Sequence, residues 1–241
     1  NNNINIGNNV RNDWKNRPNR PFDRNWWNRP GYGSGHWHWH SNWARYPRYW
    51  CWRPCTWVAV GTWLPYTWSD PYYYDYGNTI VYQDNSVYYG DKKVATEEQY
   101  YDQANKIAEA VPADLDPEKV EWMPLGVFAV AQEGVADTGM LMQLAVSKEG
   151  IIAGTYYNES TESSRPLEGT VDEKTQRAAW KFVDDSPNKV TFETGIFNLT
   201  KEETTCLVHF GPDKTQTWTM IRIPPPEEEG AAQDSTAPAS N

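Results

Sequence analysis

The sequence predicts a mainly β protein: an eight-stranded antiparallel up-and-down meander or barrel with one flanking helix, preceded by an extended Trp/Tyr/Arg/Asn-rich region. Three observations lead there. Eight apolar-alternating stretches follow one another after residue 124, separated by turn residues. Eleven of the 14 tryptophans lie before residue 77. Residues 1–76 carry nine Lys or Arg against four Asp, whereas the whole chain is at −10, so the two parts have opposite charge. Three segments result: 1–76 as a basic aromatic assembly or attachment region, 77–224 as the barrel domain, and 225–241 as an acidic Pro/Ala tail of disordered type.

The amino-terminal region begins "NNNINIGNNV", where Asn and Ile alternate over positions 3–6. The stretch is polar enough to be a disordered low-complexity leader, while period two predicts a short strand, and so polar a strand needs a partner. Added to a sheet edge of another copy, it would offer Ile4, Ile6 and Val10 as anchors, joining subunits head to tail. Residues 11–76 interleave Trp and Tyr with Arg, Pro, Asn and Gly, and the prolines predict extended turns and loops. Rings of this density order against a surface, with Arg stacked upon them. Trp26 and Trp27 are expected to add self-association area.

Residues 35–57, "GHWHWHSNWARYPRYWCWRPCTW", hold six tryptophans. His36, His38 and His40 would share one face of a strand, which could ligate a metal, although low-complexity alternation explains them more simply. Cys51 and Cys55 form a C-x3-C pair suited to a disulfide or, with nearby histidines, to zinc. Basic residues among aromatics also suit single-stranded nucleic acid, but the acidic chain argues against that partner. Exposed rings could instead stack on sugars.

In the carboxy-terminal part, "GNTIVYQDNSVYYGDKKV" reads as a hairpin or two short strands. A helix follows near 96–111, begun by a Thr96/Gln99 capping box, with Tyr100, Ala104, Ile107, Ala108 and Val111 at helical spacing. The eight strands are "LGVFAVAQ", "GMLMQLAVS", "IIAGTYYN", "RPLEGTV", "RAAWKFV", "VTFETGIFN", "TTCLVHF" and "TQTWTMIRI". A meander of eight hides its edges best by closing. Ala178, Trp180 and Phe182 share one face, as do Phe192 with Ile196, and Cys206 with Val208 and Phe210, so an apolar packed interior is expected rather than a ligand cavity.

Catalytic motifs are missing from the sequence. His209 would point away from Cys206 on its strand, which removes a thiol–imidazole pair, and the acidic runs read as solvated faces. There is no phosphate loop or zinc-helix motif, so no catalytic, cofactor-binding or metal residue is nominated and no cofactor is expected. No apolar run is long enough for a membrane-spanning helix. An opening Asn1 is what a processed end, or a missing upstream part, would leave.

"GIIAGTYYNESTESSRPLEGTV", through Gly154, Thr155 and Tyr156, resembles the second hairpin of streptavidin-like barrels. That implies architecture only, because the ligand-contacting Trp, Asp and Ser pattern of those proteins has no counterpart around it. "NINIGNNV", the Trp/Asn/Arg-rich middle, "EWMPLGVFAV", "GTYYN", "KTQRAAW" and "TGIFNLT" together resemble the mu-protocadherin-like cell-surface proteins of planctomycete bacteria. The resemblance implies an exported envelope protein. With the reading of the residues, the expectation is a non-enzymatic structural protein of the cell surface or extracellular space that self-assembles through its amino-terminal region, with itself as main partner and envelope glycan or other surface proteins as further ones. The alternative is a β-barrel that binds a small ligand or glycan.

Overall fold

A computed structural model describes residues 2–17, 19–29, 37, 46–135, 139–184, 186–187 and 189–226, with side chains from Ile6 onward. Eight antiparallel strands form a closed barrel: β4 (Trp122–Gln132), β5 (Met140–Ser147), β6 (Ile151–Asn158), β7 (Ser163–Val171), β8 (Arg177–Phe182), β9 (Thr191–Gly195), β10 (Glu203–Gly211) and β11 (Lys214–Arg222). Each pairs with the next in sequence, and β11 returns to β4. Before them, β1 (Ile80–Gln83), β2 (Ser86–Tyr89) and β3 (Lys92–Thr96) form a separate antiparallel sheet, one strand more than the expected hairpin. Among the described residues the α-helices are α1 (Asn2–Lys15), α2 (Arg24–Trp27), α3 (Trp57–Trp63) and α4 (Glu97–Glu109).

Alternation sorts each barrel strand into two faces. Inward side chains include Phe128, Val130, Met142, Leu144, Ile152, Leu167, Ala178, Trp180, Phe192, Cys206, Val208 and Met220, all buried in one cluster. The Trp180 ring stacks on Phe192 at 6.2 Å, and its Nε1–H donates to the Met142 sulfur at 3.2 Å. Side chains thus occupy the interior, as eight-stranded geometry favours. Phe210, expected inside with Val208, is exposed because a register shift between His209 and Gly211 turns the strand end outward. At the start of β4, Gly126 sits at φ +119° in a bulge, and a Cβ there would meet the Arg222 guanidinium at 2.1 Å.

The outward face is itself covered, on two sides and by different material. Over β4, β5, β6 and β11 lie α1, α2 and the turn at Trp50–Trp52, burying Val127, Ala129, Leu141, Ala145, Ile151 and Ile221 with Trp14, Phe22, Trp26, Trp27 and Trp52. Over β7 to β10 lie the three-stranded sheet and α4, with Tyr74, Tyr76, Ile80, Val87 and Tyr100 clustered on Leu207. Helix α4 begins with the expected capping box, since Thr96 Oγ1 accepts from Gln99 N–H while the Gln99 side chain accepts from Thr96 N–H. It is pinned by Lys181 to Glu109 at 2.6 Å and by Thr170 Oγ1–H donating to the Ile107 carbonyl.

The leader is a correction to the sequence reading. Residues expected to form a strand through Ile4, Ile6 and Val10 lie in α1, whose organising stripe is Ile6, Val10 and Trp14, each four residues apart. Asn is a poor helix former, but packing of that stripe overrides propensity. Val10 and Trp14 are buried and Ile6 partly so, all against the chain's own aromatic cluster. The side chain of Ile4 lies outside the described residues. Arg11 reaches Glu203 of β10 at 2.6 Å, and Arg17 reaches Glu159.

Candidate functional site

Residues 46–57 answer how the tryptophan-rich stretch is accommodated: Trp50 and Trp52 are buried in the coat over β4 and β5, and Trp37 packs edge-on to Trp122. Phe22, at φ +62°, is the centre of this coat, with Trp26, Trp27, Trp52 and Tyr157 rings between 4.9 and 6.3 Å away. A bulky residue holds a left-handed conformation only when its surroundings fix it, and these rings do so. Arginines stack as expected: Arg17 lies over Trp14 at 4.0 Å and Arg20 over Trp52 at 4.9 Å. Trp26 and Trp27 are buried here against the chain itself. His36, His38 and His40 lie outside the described residues.

The expected Cys51–Cys55 disulfide is absent, and all three thiols are free. The turn at Trp50–Trp52 followed by extended Arg53 sends the two cysteines into different cores, Cys51 into the aromatic coat and Cys55 to the end of the barrel interior. Burial raises the Cys51 and Cys206 thiols well above their usual range and Cys55 to about 11, so all three stay protonated. Among the described residues no three His, Cys, Asp or Glu side chains gather as a metal site.

His209 does point away from Cys206, and it points into a buried ionic cluster that sequence reasoning missed. Glu193 of β9 takes Arg177 Nε–H at 2.9 Å on one oxygen and meets His209 Nε2 at 2.6 Å on the other. His209 Nδ1 meets Thr215 Oγ1 at 2.8 Å, Arg177 Nη1–H donates to Gln103 at 2.7 Å, and the guanidinium lies 3.9 Å over the Tyr100 ring. Burial pushes the Glu193 carboxyl up, but the neighbouring Arg177 charge and the His209 hydrogen bond outweigh it and hold the carboxyl below its usual range. Burial likewise works against the Arg177 charge, and Glu193 more than restores it. Tyr74, Tyr76 and Tyr100 stay neutral phenols because burial raises them. With Glu193 and His209 at 0 % exposure, the cluster is a clamp between barrel and coat, shut off from solvent.

The accessible candidate is the barrel end under α3. Val60 and Leu64 of this helix, with Cys55, join the interior cluster, so residues before Gly77 complete the barrel core. Thr56 caps α3 by accepting from Ala59 N–H. The chain is then stitched across the end: Trp63 Nε1–H donates to Val146 O at 3.2 Å, and Trp68 Nε1–H to Glu173 O at 2.7 Å. Gln176 and Asn198 act as backbone mimics, each exchanging two bonds with residues 70–74: Tyr72 N–H to Gln176 Oε1 and Gln176 Nε2–H to Asp70 O, Tyr74 N–H to Asn198 Oδ1 and Asn198 Nδ2–H to Tyr74 O. The result is a fixed, half-exposed aromatic face. Trp57 stacks on Trp68 at 5.8 Å, Phe197 meets Trp57 edge-on at 5.5 Å, and Tyr73 lies beyond at 6.3 Å from Phe197. Val58 is 76 % exposed, and of the six exposed large hydrophobics among the described residues, Val58, Tyr72 and Tyr73 all belong to this segment.

Fold and face together define a filled eight-stranded up-and-down barrel, wrapped on its outside and capped by an aromatic lid. Comparison with protein-family models, curated proteins and solved structures gave no match. Among the described residues no helix is long and apolar enough to cross a membrane.

Proposed function

We propose that this chain is a non-enzymatic structural protein, exported to the cell surface or extracellular space, that assembles with copies of itself through the aromatic lid. Its self-association was expected from the leader and from Trp26 and Trp27; the burial of Val10, Trp26 and Trp27, with Ile6 partly so, within the chain moves the proposal to Val58, Tyr72 and Tyr73. The observation that carries it is the exposure of Val58 beside the stacked Trp57–Trp68 pair, on a segment that hydrogen bonds hold rigid. A preformed apolar face loses little entropy on docking, which favours association with a complementary surface. The exported location rests on the sequence resemblance alone.

Sedimentation velocity over a concentration series tests this reading. The full chain should associate as concentration rises, and Val58→Asp with Tyr73→Asp should stay monomeric with an unchanged circular dichroism spectrum. A wild-type chain that is monomeric throughout the series would refute it.

A further inference from the structure

Beside α2, on the outside of the aromatic coat, a cleft of about 300 Å³ opens between Trp14, Arg20, Asn25, Arg29, Arg48 and Glu159. Its floor is unusual in charge. Arg20 is only 5 % exposed, and its guanidinium donates to two main-chain carbonyls, Pro224 O at 2.6 Å and Trp14 O at 3.0 Å. Its Nε–H meets no acceptor among the described residues. A buried cation without a carboxylate is costly, and burial accordingly lowers its pKa.

The two carboxylates of the lining are already engaged. Asp23 accepts from Arg48 Nε–H at 3.1 Å and from Trp26 N–H at 2.9 Å, and Glu159 pairs with Arg17. Arg29, exposed at the rim, has no carboxylate partner among the described residues. Among the described residues, two positive charges are thus left without a carboxylate at one cleft of a chain whose net charge is −10. A second hollow of about 350 Å³ shares Asp23, Asn25 and Arg48, so the site continues along α2.

The lining also selects among anions. A dense polyanion would be repelled by Asp23 and Glu159, and the Asn19 and Asn25 amides would have little to do. A ligand carrying one carboxylate and several hydroxyls uses all of them: guanidiniums for the carboxylate, and amide and carboxylate oxygens for hydroxyl donors. The size lies at the lower end of ligand sites, roughly 300–1,000 Å³, which is suited to a sugar ring. We propose that this cleft binds a uronic-acid unit of an acidic polysaccharide, with Arg29 and Arg48 on its carboxylate and Arg20 as a fixed charge beneath. The site shares no residue with the lid, so it stands or falls independently of the association proposal.

The test is calorimetric titration of the full chain with an oligogalacturonate, its fully methyl-esterified form, a sulfated oligosaccharide and poly-glutamate. The free acid should bind, esterification should abolish binding, and the other two anions should bind more weakly. Arg29→Gln, on an exposed side chain that folding does not need, should weaken the free acid about tenfold or more, the loss of a charge-assisted pair. Arg20→Gln should do the same, and Arg29→Gln decides the matter if that variant misfolds. Equal binding of the ester, tighter binding of the sulfated or peptide anion, or an unaffected Arg29→Gln would overturn the proposal. Because Arg20 touches Pro224 and Glu227, Glu228 and Glu229 follow in the sequence, the titration is repeated with those three changed to Gln in the full chain. Binding that appears only then would make the chain's own glutamates the occupant and would likewise overturn it.

Discussion

The two coats of the barrel solve one problem by different physics. Over β4, β5, β6 and β11, indole and phenyl rings meet a mainly apolar barrel face that also carries Trp122, Tyr157 and a buried Gln143, and Arg17 and Arg20 stack on the rings. Over β7 to β10, tyrosines and α4 cover a face that carries Arg177, Glu193 and His209, and buried charge is satisfied inside the contact. The first coat draws its stability mainly from area removed from water, with ion pairs of Arg11, Arg17 and Arg48 that keep some exposure, and the second also from a fully buried ionic cluster. Apolar contact is indifferent to pH, and a buried ion pair is not. The difference teaches that the same barrel can hold one covering permanently and another conditionally.

Breaking the charged contact should have the largest effect. Glu193→Gln leaves Arg177 buried without its counter-charge and should cost about 3–5 kcal/mol in denaturant unfolding. Arg177→Met combined with Glu193→Leu removes both charges and should recover much of that loss, which separates the cost of an orphaned charge from loss of packing. On the other side, Leu141→Ala cuts into the apolar face under the aromatic coat and should cost about 2–5 kcal/mol, with the same loss at low and at neutral pH.

Smaller changes sharpen the contrast. Thr96→Ala removes the cap of α4 and should cost about 1 kcal/mol, read as earlier exchange of α4 amides while the tryptophan coat is unchanged. Arg11→Gln removes a partly exposed link from α1 to β10 and should cost only about 0.2–1 kcal/mol, vanishing at high salt.

The barrel was legible because its strands bury one face inside and repeat at period two, as Ala178–Trp180–Phe182 and Cys206–Val208 illustrate. Charge and tryptophan counts divide the chain near Gly77, yet packing crosses that point, since Val60 and Leu64 complete the barrel core. The leader was misread because Asn–Ile alternation over four residues outweighed the longer Ile6–Val10–Trp14 stripe, whose significance depends on what it packs against. Arg177, Glu193 and His209 were invisible as a group. Each occupies an outward strand position, where polarity reads as solvent exposure, and only α4 with the tyrosine-bearing sheet laid over them makes them interior. The lid was hidden similarly, because Trp57, Trp63 and Trp68 look like more of the same aromatic run until their bonds to Val146 and Glu173 place them on the barrel end.

Hydrogen exchange at about pH 7 and about pH 3, followed by mass spectrometry, tests the two-coat account most directly. Glu193 has a folded pKa below its unfolded one, so its contribution is complete above the ordinary carboxylate value of about 4.3 and is lost as pH falls through the folded value. After correction for the intrinsic pH dependence of exchange, protection of β1–β3 and α4 should fall at the lower pH. Protection of α1, α2 and the Trp50–Trp52 turn should hold. Equal loss in both coats, or a greater loss in the aromatic one, would contradict the claim that only one of them is fastened by a fully buried ionic cluster.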